Sequence, residues 1–124
     1  MIYSEKGKER NNFTLFIEHA LGILSKKDYT SFLSLFDNSR LAEQDLVLAL
    51  KYLDETRPVL SIDDPALIKS KHQRVDFNAF GDGSGYYMDY DLTTYGKIND
   101  LTLQVEFRKK GDGYIVLLDD LHTL

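Results

Sequence analysis

Apolar residues recur with a helical period in the first half of the chain. Between residues 12 and 25 they fall at i, i+3, i+4, i+7, i+8 and i+11, at Phe13, Phe16, Ile17, Ala20, Leu21 and Leu24. This spacing predicts a helix from about Asn12 to Ser25 with one apolar face. Asn11 or Asn12 is positioned to cap its start, because a short side-chain oxygen can accept from the free N–H groups of the first turn.

Two shorter helices are predicted to follow. Asp28 is the expected N-cap of the second, which repeats the apolar spacing at Tyr29, Phe32, Leu33 and Phe36. Asn38 or Ser39 is expected to open a third helix that runs to about Leu53 and ends before Pro58. Residues 57–72 are predicted to form a loop with one helical turn, started by Asp64 and Pro65.

From about Gln73 the period changes to two, which predicts strands. Three segments alternate apolar and polar residues, with apolar positions at Val75, Phe77, Ala79, then Tyr86, Met88, Tyr90, Leu92, then Leu101, Leu103, Val105, Phe107. Residues 81–85 predict a turn, residues 94–100 a loop, and residues 109–113 a hairpin. The last strand, 114–120, is apolar on both faces, which is typical of a covered or central strand.

Helices at about 12–53 followed by strands at about 73–120 predict one α+β domain spanning residues 1–124. Its helices are expected to pack on one face of an antiparallel sheet of about four strands. The chain contains no cysteine, which excludes disulfides and thiolate metal sites. It shows no signal peptide and no apolar run long enough to cross a membrane, so a soluble cytoplasmic protein is expected.

The net charge of −5 is unevenly distributed along the chain. Residues 1–75 carry eleven acidic and eleven basic side chains, whereas residues 76–124 carry nine acidic and four basic ones. An acidic half disfavours nucleic acid, since phosphates require Lys and Arg, and it favours a basic partner. Ordinary solubility charge is the alternative explanation.

Motifs for metal, cofactor or catalytic chemistry are absent from the sequence. His19, His72 and His122 share no helical or strand spacing, so neither a metal site nor any cofactor is expected. The glycine-rich segment at residues 81–85 lacks the lysine and the following helix of a phosphate-binding loop. It also lacks the closing glutamate of a calcium loop.

Carboxylates cluster on the expected polar side of the strands. Asp89 and Asp91 lie two residues apart and therefore point to one face beside Tyr87, while Glu106 lies on the polar side of the next strand. Asp119 and Asp120 are expected to end the last strand. The predicted partner-binding residues are Tyr87, Asp89, Asp91, Glu106, Asp119 and Asp120. A solvated sheet face, or an active site with an Asp base and a Tyr donor, are the alternatives.

The segment Lys27-Asp28-Tyr29-Thr30-Ser31-Phe32-Leu33-Ser34-Leu35-Phe36-Asp37 resembles the second helix of nuclear transport factor 2-type domains. That resemblance implies a cystatin-like roll, in which a curved sheet wraps a long first helix. Some members are isomerases or dehydratases and many only bind. It therefore implies an alternative function, a cone-type ligand binder or enzyme with a cavity between Phe16, Phe32, Met88, Tyr90 and Val105.

The C-terminal segments 100–103, 111–114 and 118–124 resemble the signature of a small bacterial domain family. Proteins of this size and charge recur among immunity proteins of bacterial toxin systems, including contact-dependent growth inhibition. The resemblance implies a cytoplasmic, non-enzymatic immunity protein that acts as a toxin inhibitor, or antitoxin, by binding a basic nuclease-type toxin domain. A homodimer with its sheets packed face to face is a further possibility.

Overall fold

The chain folds into α-helices packed on a five-stranded mixed sheet, in a computed structural model that describes residues 1–70 and 73–123. The described helices are α1 (Glu9–Ser25), α2 (Tyr29–Ser34) and α3 (Glu43–Ala49). The described strands are β1 (Asn38–Ser39), β2 (Val75–Ala79), β3 (Gly85–Thr94), β4 (Lys97–Lys110) and β5 (Gly113–Thr123). No helix in these ranges is long and apolar enough to span a membrane.

The strand order in the sheet is β1-β5-β4-β3-β2. Strands β2 to β5 pair antiparallel with their neighbours in sequence, whereas β1 pairs parallel with β5, with Asn38 opposite Leu117. The expectation of about four antiparallel strands was therefore one strand short. The strand that was not predicted is β1, which is only two residues long and has no periodicity of its own, so alternation could not reveal it.

The apolar stripe of α1 is confirmed, but the predicted start of the helix was wrong. Phe13, Ile17 and Leu21 are buried at 1% exposure or less. The helix begins at Glu9 rather than near Asn12, and no side chain of its N-cap residue forms a capping bond. The buried Glu9 carboxylate instead accepts from the Gly7 N–H, at 2.8 and 2.9 Å, which orders the chain entering the first turn.

The cap of α2 is confirmed. The Asp28 carboxylate accepts from the Ser31 N–H at 3.1 Å, and hydrogen bonds from Ser31 lower the pKa of Asp28. The prediction that Asn38 or Ser39 opens α3 was wrong, because both residues form β1. α3 instead begins at Glu43, where the Asp45 carboxylate accepts from the Ala42 N–H at 2.8 Å.

The third helix is also shorter than predicted, ending at Ala49 instead of Leu53. Tyr52 and Leu53 adopt positive φ angles of 54° and 61°, which the right-handed helix does not allow. The expected helical turn at Asp64 is present, since the N–H groups of Leu67 and Ile68 both donate to the Asp64 carbonyl.

The β3–β4 connection is tighter than the predicted loop at residues 94–100, because Thr94 pairs directly with Lys97. The Asp63 carboxylate accepts from the N–H groups of Tyr95, at 3.0 Å, and Gly96, at 2.8 Å. Residues 57–70 thereby anchor this turn. The predicted turn at residues 81–85 and the predicted hairpin at residues 109–113 are confirmed by the antiparallel pairing of the strands on either side.

One hydrophobic core lies between the helices and the inner face of the sheet. The rings of Phe13 and Phe107 stack with centroids 4.2 Å apart and planes 6° from parallel. On β3, Met88 and Tyr90 are buried in this core, and the Tyr90 hydroxyl donates to the Glu18 carboxylate at 2.8 Å. Since side chains alternate along a strand, Asp89 projects from the opposite face of the sheet.

Candidate recognition surface

The outer side of the sheet, opposite the helices, carries the predicted partner-binding residues and is called the polar face. Cross-strand pairing places Tyr87 opposite Glu106, while Asp89 and Asp120 both pair with Gln104 from either side of β4. Directly paired residues share a face. The polar face comprises Asp76, Tyr87, Asp89, Asp91, Gln104, Glu106, Asp119 and Asp120, together with Arg40, Arg74 and Arg108.

A β-bulge brings Asp119 to the same surface as Asp120. Neighbouring strand residues normally point to opposite faces, and the expectation that both aspartates end the last strand was wrong, because β5 continues to Thr123. Leu118 pairs with Val105 and Asp120 with Gln104, which leaves Asp119 as the extra residue. The Asp119 carboxylate reaches the Arg40 guanidinium at 2.9 Å.

The sequence interpretation missed the arginines of this surface. Arg40, which follows β1, lies 2.9 Å from Asp119 and 3.9 Å from Glu106, while Arg108 lies 2.7 Å from Glu106 on its own strand. Arg40 belongs to the half of the sequence without net charge, and the pairing of β1 with β5 places it beside the acidic residues of the other half. The polar face is therefore a mixed surface, in which six carboxylates outnumber three guanidinium groups.

Asp91 belongs to a structural network rather than to the open surface. Its carboxylate accepts from the Thr102 hydroxyl at 2.9 Å and from Arg74 at 3.2 Å, and only 15% of its side chain is exposed. Arg74 also pairs with Asp76 at 3.0 Å. Hydrogen bonding to Asp91 raises the pKa of Arg74. These bonds join the start of β2 to β3 and β4.

Asp89 is one of two carboxylates of the polar face that no lysine or arginine among the described residues pairs with; the other is Asp120, which lies 3.7 Å from the His122 ring. No cationic side chain among the described residues forms an ion pair with it, although it does hydrogen-bond to Gln104. Partial burial raises the pKa of Asp89. The nearby carboxylates of Asp76 and Asp91 act in the same direction, and Arg74 opposes them. Asp89 thus presents a carboxylate that no direct ion pair within the described part of the chain neutralises.

An open cleft of about 260 Å³ on the polar face is lined by several of its residues. Its aromatic wall consists of Phe80 and Tyr87, whose ring centroids lie 5.5 Å apart. Arg108 lies over the Phe80 ring at 4.4 Å, and Tyr87 is 37% exposed. Carboxylates beside aromatic faces suit a guanidinium or ammonium group. The cleft is lined by Phe80, Tyr87, Asp89, Gln104, Val105, Glu106 and Asp119.

The titratable side chains of residues 1–70 and 73–123 contain no group of three or more arranged to hold a metal ion. His19 is exposed on α1, and the ring of His122 lies 3.7 Å from the Asp120 carboxylate. His72 lies outside the described residues. The polar face offers carboxylates, guanidinium groups, a carboxamide and aromatic rings, which can form ion pairs, hydrogen bonds and aromatic contacts.

Comparison with protein families accounts for most of the chain. A family model described as "Domain of unknown function (DUF7668)" matches residues 22–124. The matched region begins within α1 and contains the whole sheet, including every residue of the polar face. No curated protein and no solved structure matches the chain.

Proposed function

Because the chain belongs to the DUF7668 family, a family of unknown function, we propose its role from the polar face itself: it binds a basic protein surface. In specific form, the chain is a cytoplasmic immunity protein that neutralises a nuclease-type bacterial toxin domain. The observation that carries the proposal is the charge of the polar face, which holds six carboxylates against three arginines, although Asp91 and Glu106 are largely buried.

The proposed mechanism is charge complementarity. A nuclease grips phosphates with Lys and Arg, so an acidic surface can occupy its substrate site. Asp89 supplies a charge without an internal ion pair, and Tyr87 supplies rigid aromatic area with one hydroxyl. The arginines of the polar face reduce its net charge to −3 and give it a pattern of both signs, which favours one partner over others.

The cystatin-like roll is part of the same proposal. A sheet that curves around α1 would place the helix across several strands, and α1 contacts β4 through Phe13 and Phe107 and β3 through Glu18 and Tyr90. An experimental structure showing a flat sheet would contradict the roll without affecting the binding surface.

The alternative, a cone-type ligand binder or enzyme, requires an interior cavity. Four of the five residues that would surround it, Phe32, Met88, Tyr90 and Val105, are at most 2% exposed and belong to one hydrophobic core. Phe16 packs against the same core. The space that a ligand would need holds side chains, and the carboxylates Asp89 and Asp91 lie on the opposite face. The packing therefore supports binding through the sheet surface.

The test is direct binding to a toxin domain. Where the gene immediately upstream encodes a large secreted protein, the probe is the C-terminal domain of that protein in a catalytically inactive form; an upstream gene of another kind would count against the specific form. We expect complex formation whose association rate falls steeply between low and physiological salt. A toxin domain that is inhibited by the chain in a nuclease assay would support the specific form. No binding at low salt would contradict it.

A matched pair of variants assigns the surface. Asp89→Asn with Asp120→Asn removes two charges from the polar face, and Glu55→Gln with Asp112→Asn removes two exposed charges elsewhere. The first pair should slow association by about threefold to tenfold, since steering depends on local charge. The second pair should leave it nearly unchanged. Equal rates for the two double variants would remove the polar face from the proposal.

A further inference from the structure

Strand β2 forms one edge of the sheet. Some of its backbone N–H and C=O groups point toward β3, and the others point away from the sheet, past its edge. The Arg74 carbonyl accepts from the Asp91 N–H at 3.0 Å, and the Phe80 N–H donates to the Gly85 carbonyl at 2.9 Å. Even-numbered residues of β2 therefore hydrogen-bond to β3. By the alternation of an antiparallel ladder, the N–H and C=O groups of Val75, Phe77 and Ala79 point outward from the sheet.

These outward groups are largely unoccupied. Arg10 donates to the Val75 carbonyl at 3.1 Å, but no described residue outside the ladder hydrogen-bonds to the backbone of Phe77 or Ala79. The side chains of Val75 and Phe77 are only half-buried at this edge, and Ala79 is exposed. The opposite edge offers no comparable template, since β1 is two residues long. An open strand of this kind is a site for strand addition.

We propose that a second copy of this chain occupies the edge, with the two β2 strands paired antiparallel about a twofold axis at Phe77. In this register Val75 pairs with the second copy's Ala79, and Asp76 lies opposite the second copy's Asn78. The pairing satisfies the outward groups of both strands, with the Val75 carbonyl accepting from the second copy's Ala79 N–H beside or in place of Arg10, and it covers the half-buried Val75 and Phe77 side chains. It joins the two sheets into one of ten strands.

Two adjacent registers would keep the same hydrogen-bond parity, with the axis at Asn78 or at Asp76. An axis at Asn78 would pair Val75 with the second copy's Gly81, which lies beyond the end of β2. A twofold axis at Asp76 would keep the hydrogen-bond parity but would place two Asp76 carboxylates directly opposite each other, and like charges at such positions are destabilising. With the axis at Phe77, each Asp76 faces an amide and keeps its own partner Arg74. This twofold axis is perpendicular to the sheet, so the polar faces of the two copies lie on the same side of the joined sheet. The dimer does not depend on what the polar face binds.

Sedimentation velocity tests the dimer on the intact chain. We expect a reversible shift from monomer to dimer as concentration rises from about 5 to about 500 µM, since a short edge contact gives a weak complex. Ala79→Pro removes one outward N–H without touching the bonds to β3, and it should abolish the dimer. The matched variant Ala79→Val keeps that N–H and should retain it. A dimer that persists in Ala79→Pro would overturn the proposal.

Amide hydrogen exchange gives a second readout that does not depend on a variant folding. In the dimer, the Phe77 and Ala79 amides should exchange at least about tenfold more slowly at high than at low concentration, because hydrogen-bonded amides are protected. The Asp76 and Asn78 amides, bonded to β3, should be protected throughout. Concentration-independent exchange at Phe77 and Ala79 would refute the dimer. Protection that appears only on adding a different protein would assign the edge to that protein instead.

Discussion

Asp76 and Asp89 are direct cross-strand partners on β2 and β3, so two carboxylates occupy opposed positions of one ladder. Asp76 is paired with Arg74, whereas Asp89 has no ion pair among the described residues. We predict that Asp89→Asn stabilises the fold at pH 7 by up to about 1 kcal/mol, since solvent screens a partly exposed charge. Urea denaturation of both proteins measures the difference.

The pH dependence of this effect has a defined sign. Burial raises the pKa of Asp89 above its ordinary value, so ionisation destabilises the fold increasingly as the pH rises from the ordinary pKa to the raised one, and fully above it. The advantage of Asp89→Asn should therefore be complete at neutral pH and disappear as the pH falls below the ordinary range for aspartate. Asp119→Asn, which loses its ion pair with Arg40, serves as the control and should bring no gain. Destabilisation by Asp89→Asn at pH 7 would contradict the assignment.

Arg40, the residue after the short strand β1, offsets part of the negative charge of the polar face. Arg40→Gln removes the cation that lies near Asp119 and Glu106, and should raise the association rate with a basic toxin domain by about twofold to threefold. The free energy of unfolding should change by less than about 1 kcal/mol, because the side chain is 75% exposed. Stopped-flow binding measures the rate.

Arg57→Gln is the matched control for that experiment. It makes the same change in net charge, but Arg57 pairs with Asp54 in the segment after α3 and lies near Tyr52. Its association rate should stay near that of the unmodified chain. If both variants accelerate binding equally, net charge alone governs association and the polar face has no special role.

Gly85 begins β3 where no side chain fits. Its φ is 148°, and an added Cβ would lie 2.0 Å from the Phe107 carbonyl oxygen. Gly85→Ala should therefore cost about 4 kcal/mol or more, because backbone on both strands must move. Gly83→Ala, at φ 76° with nothing within 4 Å, should cost only about 1 kcal/mol. Thermal unfolding followed by circular dichroism compares the two, and equal losses would contradict the steric explanation.

The sheet was largely predictable because alternation is a strong local signal. It placed Met88 and Tyr90 in the core and Asp89 on the outer face, as the structure has them. The same alternation runs from Arg74 through Asp76, so the cation beside Asp91 was visible in the sequence and was overlooked. Arg40 could not be found this way, since its place depends on the pairing of residue 38 with residue 117.

Helix ends were the least predictable feature, for a physical reason. A cap depends on which side chain reaches a free N–H, and several residues near each end are competent. Asp28 fulfilled the expectation, but Asn11 and Asn12 did not, because the Glu9 carboxylate already orders the chain before α1. Ser39 is a residue type that often caps helices, yet it lies in β1. Whether such a residue caps a helix or joins a strand is decided here by its tertiary pairing with β5.

The bulge in β5 contains one residue that the ladder with β4 does not need. Because Leu118 pairs with Val105 and Asp120 with Gln104, a chain lacking Asp119 could form a regular ladder with every remaining side chain on its present face. Loss of Asp120 would be equivalent, since Asp119 would then pair with Gln104, whereas a deletion farther along the strand would move the residues between it and the bulge to the opposite face. We therefore expect the protein to tolerate loss of one residue at this bulge, where deletion of Asp119 would also remove the carboxylate 2.9 Å from Arg40.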